Sequence, residues 1–301
     1  MVMVMKDFKY IVGPMRVPFL ILTPACVLLG FGTAVRTLGH ISVIDAVLIL
    51  IAAISTHISV NTFNEYFDFK SGLDARTERT PFSGGSGTLP EKPAMARLAL
   101  ITASVTLVIT ILIGIYFFLV KELVYLPLGI LGLLVIVIYT PWLTRRPFLC
   151  LIAPGLGFGI LMVMGTHYVL TGEYSWTPFI ASLIPFFLVS DLLLLNQFPD
   201  VEADRSIGRK HLPIAFGIHS SSLIYIFFLL FTYLAILVGV YNKYLPLSSL
   251  LGLATVFIAI PVAVGAFRYA EDIKKLIPYM GLNVIITIVT PVLVAIGLFV
   301  G

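Results

Sequence analysis

The chain has 301 residues, 59% of them hydrophobic and only 11% charged, with a mean hydropathy of +1.06 and a net charge of +4. A soluble domain would carry about 25% charged residues, so a soluble globular enzyme is excluded. A nucleic-acid binder is excluded too, because the few cations sit between apolar runs, where they orient a chain in a bilayer.

Apolar runs of about 20 residues, each long enough to cross a membrane, recur along the whole sequence. In chain order they predict spans at 17–36, 43–66, 94–120, 123–141, 149–171, 178–199, 221–241, 245–268 and 277–300. Backbone polar groups inside lipid must be satisfied internally, so these runs are helices. The expected fold is an all-α membrane bundle of nine transmembrane helices in one domain, residues 1–301. The segment from Met1 to Lys9 is short and leads into the first run without a small-residue cleavage site, so no removable signal peptide is expected. Cys26 and Cys150 lie in apolar runs with no Cys or His at ligand spacing, which predicts neither a zinc site nor a disulfide. His57 and His167 fall inside spans and are read as polar contacts between helices.

With the N-terminus inside, the inner segments hold 16 Lys and Arg and the outer ones only Arg36, Lys121 and Lys243. That asymmetry predicts a multi-pass protein of the cell membrane with its N-terminus on the cytoplasmic side. Two long inner connections, 67–93 and 200–220, also hold 7 of the 15 acidic residues, and topology alone asks for no acids there. Function is therefore sought in those loops.

Asn64 and Asp68 end the second span, and Asn196 and Asp200 end the sixth, each pair in the pattern Asn-x-x-x-Asp. A further acid follows each pair, Asp74 and Asp204. This is an internal repeat that sets two acidic ends about a common centre. Residues four apart share a helix face, so Asn196, Asp200 and Asp204 are expected on one stripe of a continuing sixth helix. Gly72 is expected to end the second helix and let Asp74 turn back toward Asp68. Facing clusters of hard oxygen ligands suit Mg²⁺, which takes one or two carboxylates and completes its shell with water and phosphate oxygens. The implied ligand is a diphosphate. Arg79, Arg209, Lys210, Arg145 and Arg146 lie near the clusters and could bind its charge, and Arg16 opens the first span. The glycine-rich stretch Ser83 to Gly87 reads as a cap over the diphosphate. Asp191 sits mid-span, where a carboxylate costs about 2.5–3.5 kcal/mol, so it is expected to face a cavity as a candidate for orienting a ligand or accepting a proton.

The sequence NEYFDFKSGLD with Arg79-Thr80-Pro81, the sequence NQFPDVEADRSIGRKHLPIAFG, and Tyr139-Thr140-Pro141 together resemble the UbiA superfamily of intramembrane prenyltransferases over nearly the whole chain. The spacing of Asp68 and Asp74 and the run Gly84-Gly85-Ser86-Gly87 look most like its menaquinone branch, the 1,4-dihydroxy-2-naphthoate polyprenyltransferases. The usual first motif spaces its acids four apart; here that position is Gly72, and His211 stands where Thr is common. The resemblance implies Mg²⁺ held by Asn64, Asp68, Asp74, Asn196, Asp200 and Asp204 on a polyprenyl diphosphate donor. It implies Arg79 and Lys210 neutralising phosphate charge, Tyr139 hydrogen-bonding the diphosphate, and an aromatic acceptor attacked at its ring. Alternative acceptors are 4-hydroxybenzoate and geranylgeranylglyceryl phosphate. A secondary transporter, from another class, predicts acids near mid-span, and of the acids weighed here only Asp191 lies there.

Overall fold

A computed structural model describes residues 9–121 and 126–301. Lys6 and the start of the fourth predicted span lie outside the described residues. The helices that matter are α1 (Leu22–Leu38), α2 (Val43–Ser71), α3 (Ala96–Lys121), α4 (Leu126–Ile138), α5 (Pro147–Thr171), α6 (Trp176–Asn196), α7 (Ile218–Tyr241), α8 (Leu247–Arg268) and α9 (Ile273–Val300). Among the described residues there is no strand. Among the described residues eight helical stretches are long and apolar enough to cross a bilayer, α1 counting together with the 3₁₀ turn before it as Val17–Leu38, and α4 is a shorter apolar helix. The protein is an all-α, multi-pass membrane protein.

Local chemistry sets the ends. The Ser42 hydroxyl accepts from the Asp45 amide and caps α2, and Gly72, at φ 78°, ends it in the left-handed conformation open to glycine. The chain enters α1 through short 3₁₀ turns on either side of Arg16. A large buried core joins α1, α5, α6, α7, α8 and α9, around Leu29, Ile184, Leu188, Ile236, Met280 and Val294. A smaller one gathers Val27, Ile49, Phe117 and Val169 from α1, α2, α3 and α5. The predicted polar contacts are present: His57 Nδ1 lies 2.8 Å from Thr23 Oγ1, and His167 Nδ1 lies 3.0 Å from Thr33 Oγ1.

Helices α5 and α6 approach closely because Gly155 and Gly159 face Ser182, Phe186 and Ser190. A Cβ on Gly155 would sit 2.1 Å from the Phe186 carbonyl oxygen, and one on Gly159 would sit 2.6 Å from the Phe186 nitrogen. Small residues four apart allow such contact between membrane helices, where dispersion replaces the hydrophobic drive. Beyond Pro154 the α5 backbone loosens into a π-helical stretch, Leu156–Met164. Gly155→Val therefore lowers stability by about 1–3 kcal/mol, read as a lower thermal midpoint in detergent. Gly157→Ala, whose added methyl meets nothing within 4 Å, leaves the midpoint unchanged.

Candidate active site

The two acidic ends meet. Asn64 and Asp68 lie one turn apart on α2, and Asp74 follows in the 3₁₀ turn Leu73–Ala75 beyond Gly72. The second motif departs from the expected continuous stripe. Helix α6 stops at Asn196, the chain turns through 197–200, and a new short helix runs Val201–Ser206. Pro199 is the cause: it has no N–H to give the helix and disfavours helical backbone at Phe198 before it. The turn still presents Asn196, Asp200 and Asp204 to the first motif. All six residues line one cleft of about 110 Å³.

A single cation proves the juxtaposition. The Arg209 guanidinium pairs with Asp68 of the first motif and, at 2.9 Å, with Asp204 of the second. His211 Nε2 lies 3.0 Å from the other oxygen of Asp204. After Gly208, at φ 80°, the chain runs without regular structure through 209–211, and His211 is extended at φ −77° and ψ 174°. Arg209 and His211 point in and line the cleft, while Lys210 points out, exposed, with its amide donating to the Thr144 carbonyl at 3.0 Å. Burial opposes the charge on Arg209, but Asp68 and Asp204 outweigh it and hold the guanidinium protonated. Burial, aided by the charges of Glu65 and Asp68, pushes Asp74 up to about 7. Burial and Asp204 push Asp200 up to about 7. The cleft is short of positive charge.

The donor set fits a hard cation. Asp74 Oδ2, Asp200 Oδ1 and Asn196 Oδ1 are buried oxygens without a hydrogen-bond partner among the described residues, and all three residues line the cleft. Among the described residues no three His, Cys, Asp or Glu side chains converge to hold an ion by themselves. An ion here would take one or two carboxylates and fill its shell with water and ligand oxygens, the habit of Mg²⁺.

Above the cleft lies a larger apolar cavity of about 670 Å³, lined by α2, α3, α4 and α5 through residues such as Ala52, Gly114, Leu133 and Phe158. Arg16, Asn64, Tyr139 and Leu193 line both spaces and form the seam between them. Arg16 Nε donates to Glu65 at 2.7 Å. Burial works against its charge, and Glu65 raises its pKa despite that.

The other predicted cations stand outside the cleft. Arg79 is exposed and packs on Gly87, where an added Cβ would lie 1.8 Å from its Nη1. Arg145 and Arg146 are exposed, the latter over the Trp142 ring. Asp191 departs from its expected place as well. It is fully buried, lines neither cavity, and has no partner for either oxygen among the described residues. Leu193 faces the cavities, and a residue two positions away on an α-helix points to the opposite side. Asp191→Asn is accordingly expected to keep turnover within about twofold of the parent, measured with donor and acceptor saturating. Two cleft features escape the sequence reading, His211 turned inward and the Gly84 amide, which donates to Asp200 at 3.3 Å, and so does Glu65, buried beside the cleft. A signal for Glu65 was present, an ionisable residue in an apolar span.

Residues 23–285 match the sequence profile of the UbiA prenyltransferase family. The chain belongs to that family. It is 29% identical over 172 residues, 56% of its length, to a 1,4-dihydroxy-2-naphthoate octaprenyltransferase of Bacillus subtilis (strain 168). It spans about half, 53%, of that curated relative. Its fold resembles that of a UbiA homolog from Aeropyrum pernix K1, with a TM-score of 0.68 at 18% identity over 92% of this chain and 97% of the other. A UbiA homolog from Archaeoglobus fulgidus, solved bound to DMAPP and Mg²⁺, matches with a TM-score of 0.58 at 16% identity, over 96% and 99% of the two chains. UbiA relatives thus share this bundle from end to end.

Proposed function

We propose that the protein transfers a polyprenyl group from its diphosphate to an aromatic acceptor of the 1,4-dihydroxy-2-naphthoate kind, at the cytoplasmic side of the cell membrane. The observation that carries this reading is Arg209 shared between Asp68 and Asp204, which brings both acidic motifs to one cleft at the mouth of an apolar cavity. A diphosphate at the acidic end would leave its hydrocarbon tail in the 670 Å³ cavity. The solved homolog carrying DMAPP and Mg²⁺ supports the donor class, and the naphthoate relative supports the acceptor.

In this reading Asn64, Asp68, Asp74, Asn196, Asp200 and Asp204 would hold Mg²⁺, which when bound would supply charge to stabilise the departing diphosphate. Arg209 and Arg16 take up phosphate charge from within the site, and the Tyr139 hydroxyl at the seam hydrogen-bonds the diphosphate. Arg79, Lys210, Arg145 and Arg146, exposed at the rim, raise the local concentration of an anionic donor. The donor's carbon–oxygen bond breaks with its electron pair going to diphosphate, a carbon–carbon bond forms on the acceptor ring, and the substituted ring carbon gives up its proton to solvent, which restores aromaticity. The apolar cavity keeps water from quenching the allylic cation.

The test incubates purified protein in detergent with geranylgeranyl diphosphate, Mg²⁺ and a panel of naphthoate, benzoate and glyceryl-phosphate acceptors, following products by mass spectrometry. A prenylated naphthoate, lost on adding EDTA, is the expected result. Prenylation of another acceptor alone rejects the naphthoate assignment. No product, together with no donor binding, rejects prenyl transfer and leaves transport as the reading.

A further inference from the structure

Glu65 has no part in the roles above, yet it is a fully buried carboxylate between Asn64 and Asp68 on α2. It lines neither cavity. Such a charge is costly unless it is paired and fully hydrogen-bonded, and Glu65 is both. Its Oε1 accepts from Arg16 Nε at 2.7 Å and from the Ser86 amide at 2.7 Å, and its Oε2 accepts from the Ser86 hydroxyl at 2.7 Å.

These donors come from two segments far apart in sequence. Arg16 lies at the entry to α1 with φ 51°, a left-handed conformation unusual for a side-chain-bearing residue. Ser86 belongs to the glycine-rich loop, and that loop touches both acidic motifs. The Gly84 amide donates to Asp200, and a Cβ on Gly85 would lie 3.3 Å from Asp74 Oδ1 and 3.3 Å from Glu65 Oε1. At φ 73° and so close to two carboxylates, Gly85 lets the backbone lie directly across the cleft. Glu65 is the point where the loop is fastened to the helix that carries the first motif. Its three donors occupy both of its oxygens.

We propose that Glu65 is a positioning residue, a latch that fastens the Gly84–Gly87 loop over the diphosphate end of the site and fixes Arg16 at the seam. The proposal rests on the prenyl diphosphate reading for what the loop covers. With Nε engaged by Glu65, the guanidinium of Arg16 is aimed by its remaining nitrogens, of which Nη2 lies 3.4 Å from Asn64 Oδ1. Both consequences favour binding the diphosphate over the later bond-making step.

The test compares the parent with Glu65→Gln and Ser86→Ala in three measurements: hydrogen exchange of the 83–87 amides without substrate or metal, thermal midpoint, and steady-state kinetics with geranylgeranyl diphosphate. Glu65→Gln is expected to speed loop exchange about tenfold, because the Ser86 amide loses a charged acceptor. It is also expected to raise the donor KM about tenfold while kcat falls by no more than about twofold. Ser86→Ala, which keeps the Glu65–Arg16 pair, should shift both readings the same way by about threefold. Unchanged loop exchange in both variants overturns the proposal. So does a loss confined to kcat with KM unchanged. If Glu65→Gln does not fold, Ser86→Ala decides by the same readings. Exchange is measured without substrate, so a protein that handles no prenyl diphosphate would sink the functional reading and leave the latch separately tested.

Discussion

Asp200→Asn lowers prenyl turnover about 10²–10³-fold, the usual cost of removing one element of transition-state charge stabilisation, and leaves the thermal midpoint close to that of the parent. Asp200 separates these two effects better than Asp68 does. One of its oxygens accepts from the Gly84 amide of the loop at 3.3 Å, and the other is buried with no partner among the described residues. An Asn in its place keeps the shape and one acceptor. It also removes a charge that the metal-free fold disfavours, because burial and Asp204 already push this carboxyl up to about 7. What it takes away is an anionic oxygen ligand. Turnover and unfolding measured on the same preparation check this: activity within about twofold of the parent would remove Asp200 from the machinery.

Arg209→Met has the opposite profile, losing stability and activity together. Without metal, Arg209 is the cation between Asp68 and Asp204, and removing one member of a buried ionic group costs about 3–5 kcal/mol. His211 beside Asp204 and the thin solvent access to the guanidinium, whose side chain is 13% exposed, set the expectation at the lower end, about 3 kcal/mol. Added Mg²⁺ supplies positive charge to the same carboxylates. The gap in thermal midpoint between variant and parent is therefore wide in EDTA and narrows in Mg²⁺. Turnover in Mg²⁺ still falls about 10²-fold, since the guanidinium no longer meets the phosphate. Thermal unfolding of both proteins in EDTA and in Mg²⁺ checks the sign; a gap that metal does not narrow would mean that Arg209 and the metal do not share the carboxylates.

Much of this arrangement was legible in the sequence because it rests on local, one-dimensional signals. Apolar runs separated by charges gave the helices, and the pattern Asn-x-x-x-Asp marked both acidic ends. Gly72 could be read as a helix end because only glycine is comfortable in the conformation it adopts, φ 78°. The misreadings come from places where direction is decided in three dimensions. Carrying the period of α6 across Pro199 hid a break that the proline itself announces. The resemblance points to Lys210, but the chain after Gly208 leaves Lys210 exposed, and Arg209 is the one that enters. Asp191 reads as a cavity residue from the cost of a buried charge, which says that a carboxylate needs a reason and not which way it faces. The same cost applied to Glu65, whose reason is the loop 21 residues further on.

The account stands or falls on a metal-dependent diphosphate site in the Asp68–Asp200 cleft, and the most direct measurement is binding, without turnover, of a non-hydrolysable geranylgeranyl thiodiphosphate to the purified protein. Saturable binding that appears with Mg²⁺, disappears in EDTA and is lost in Asp200→Asn is the predicted result. Binding of equal strength in EDTA, or unchanged in Asp200→Asn, would contradict it.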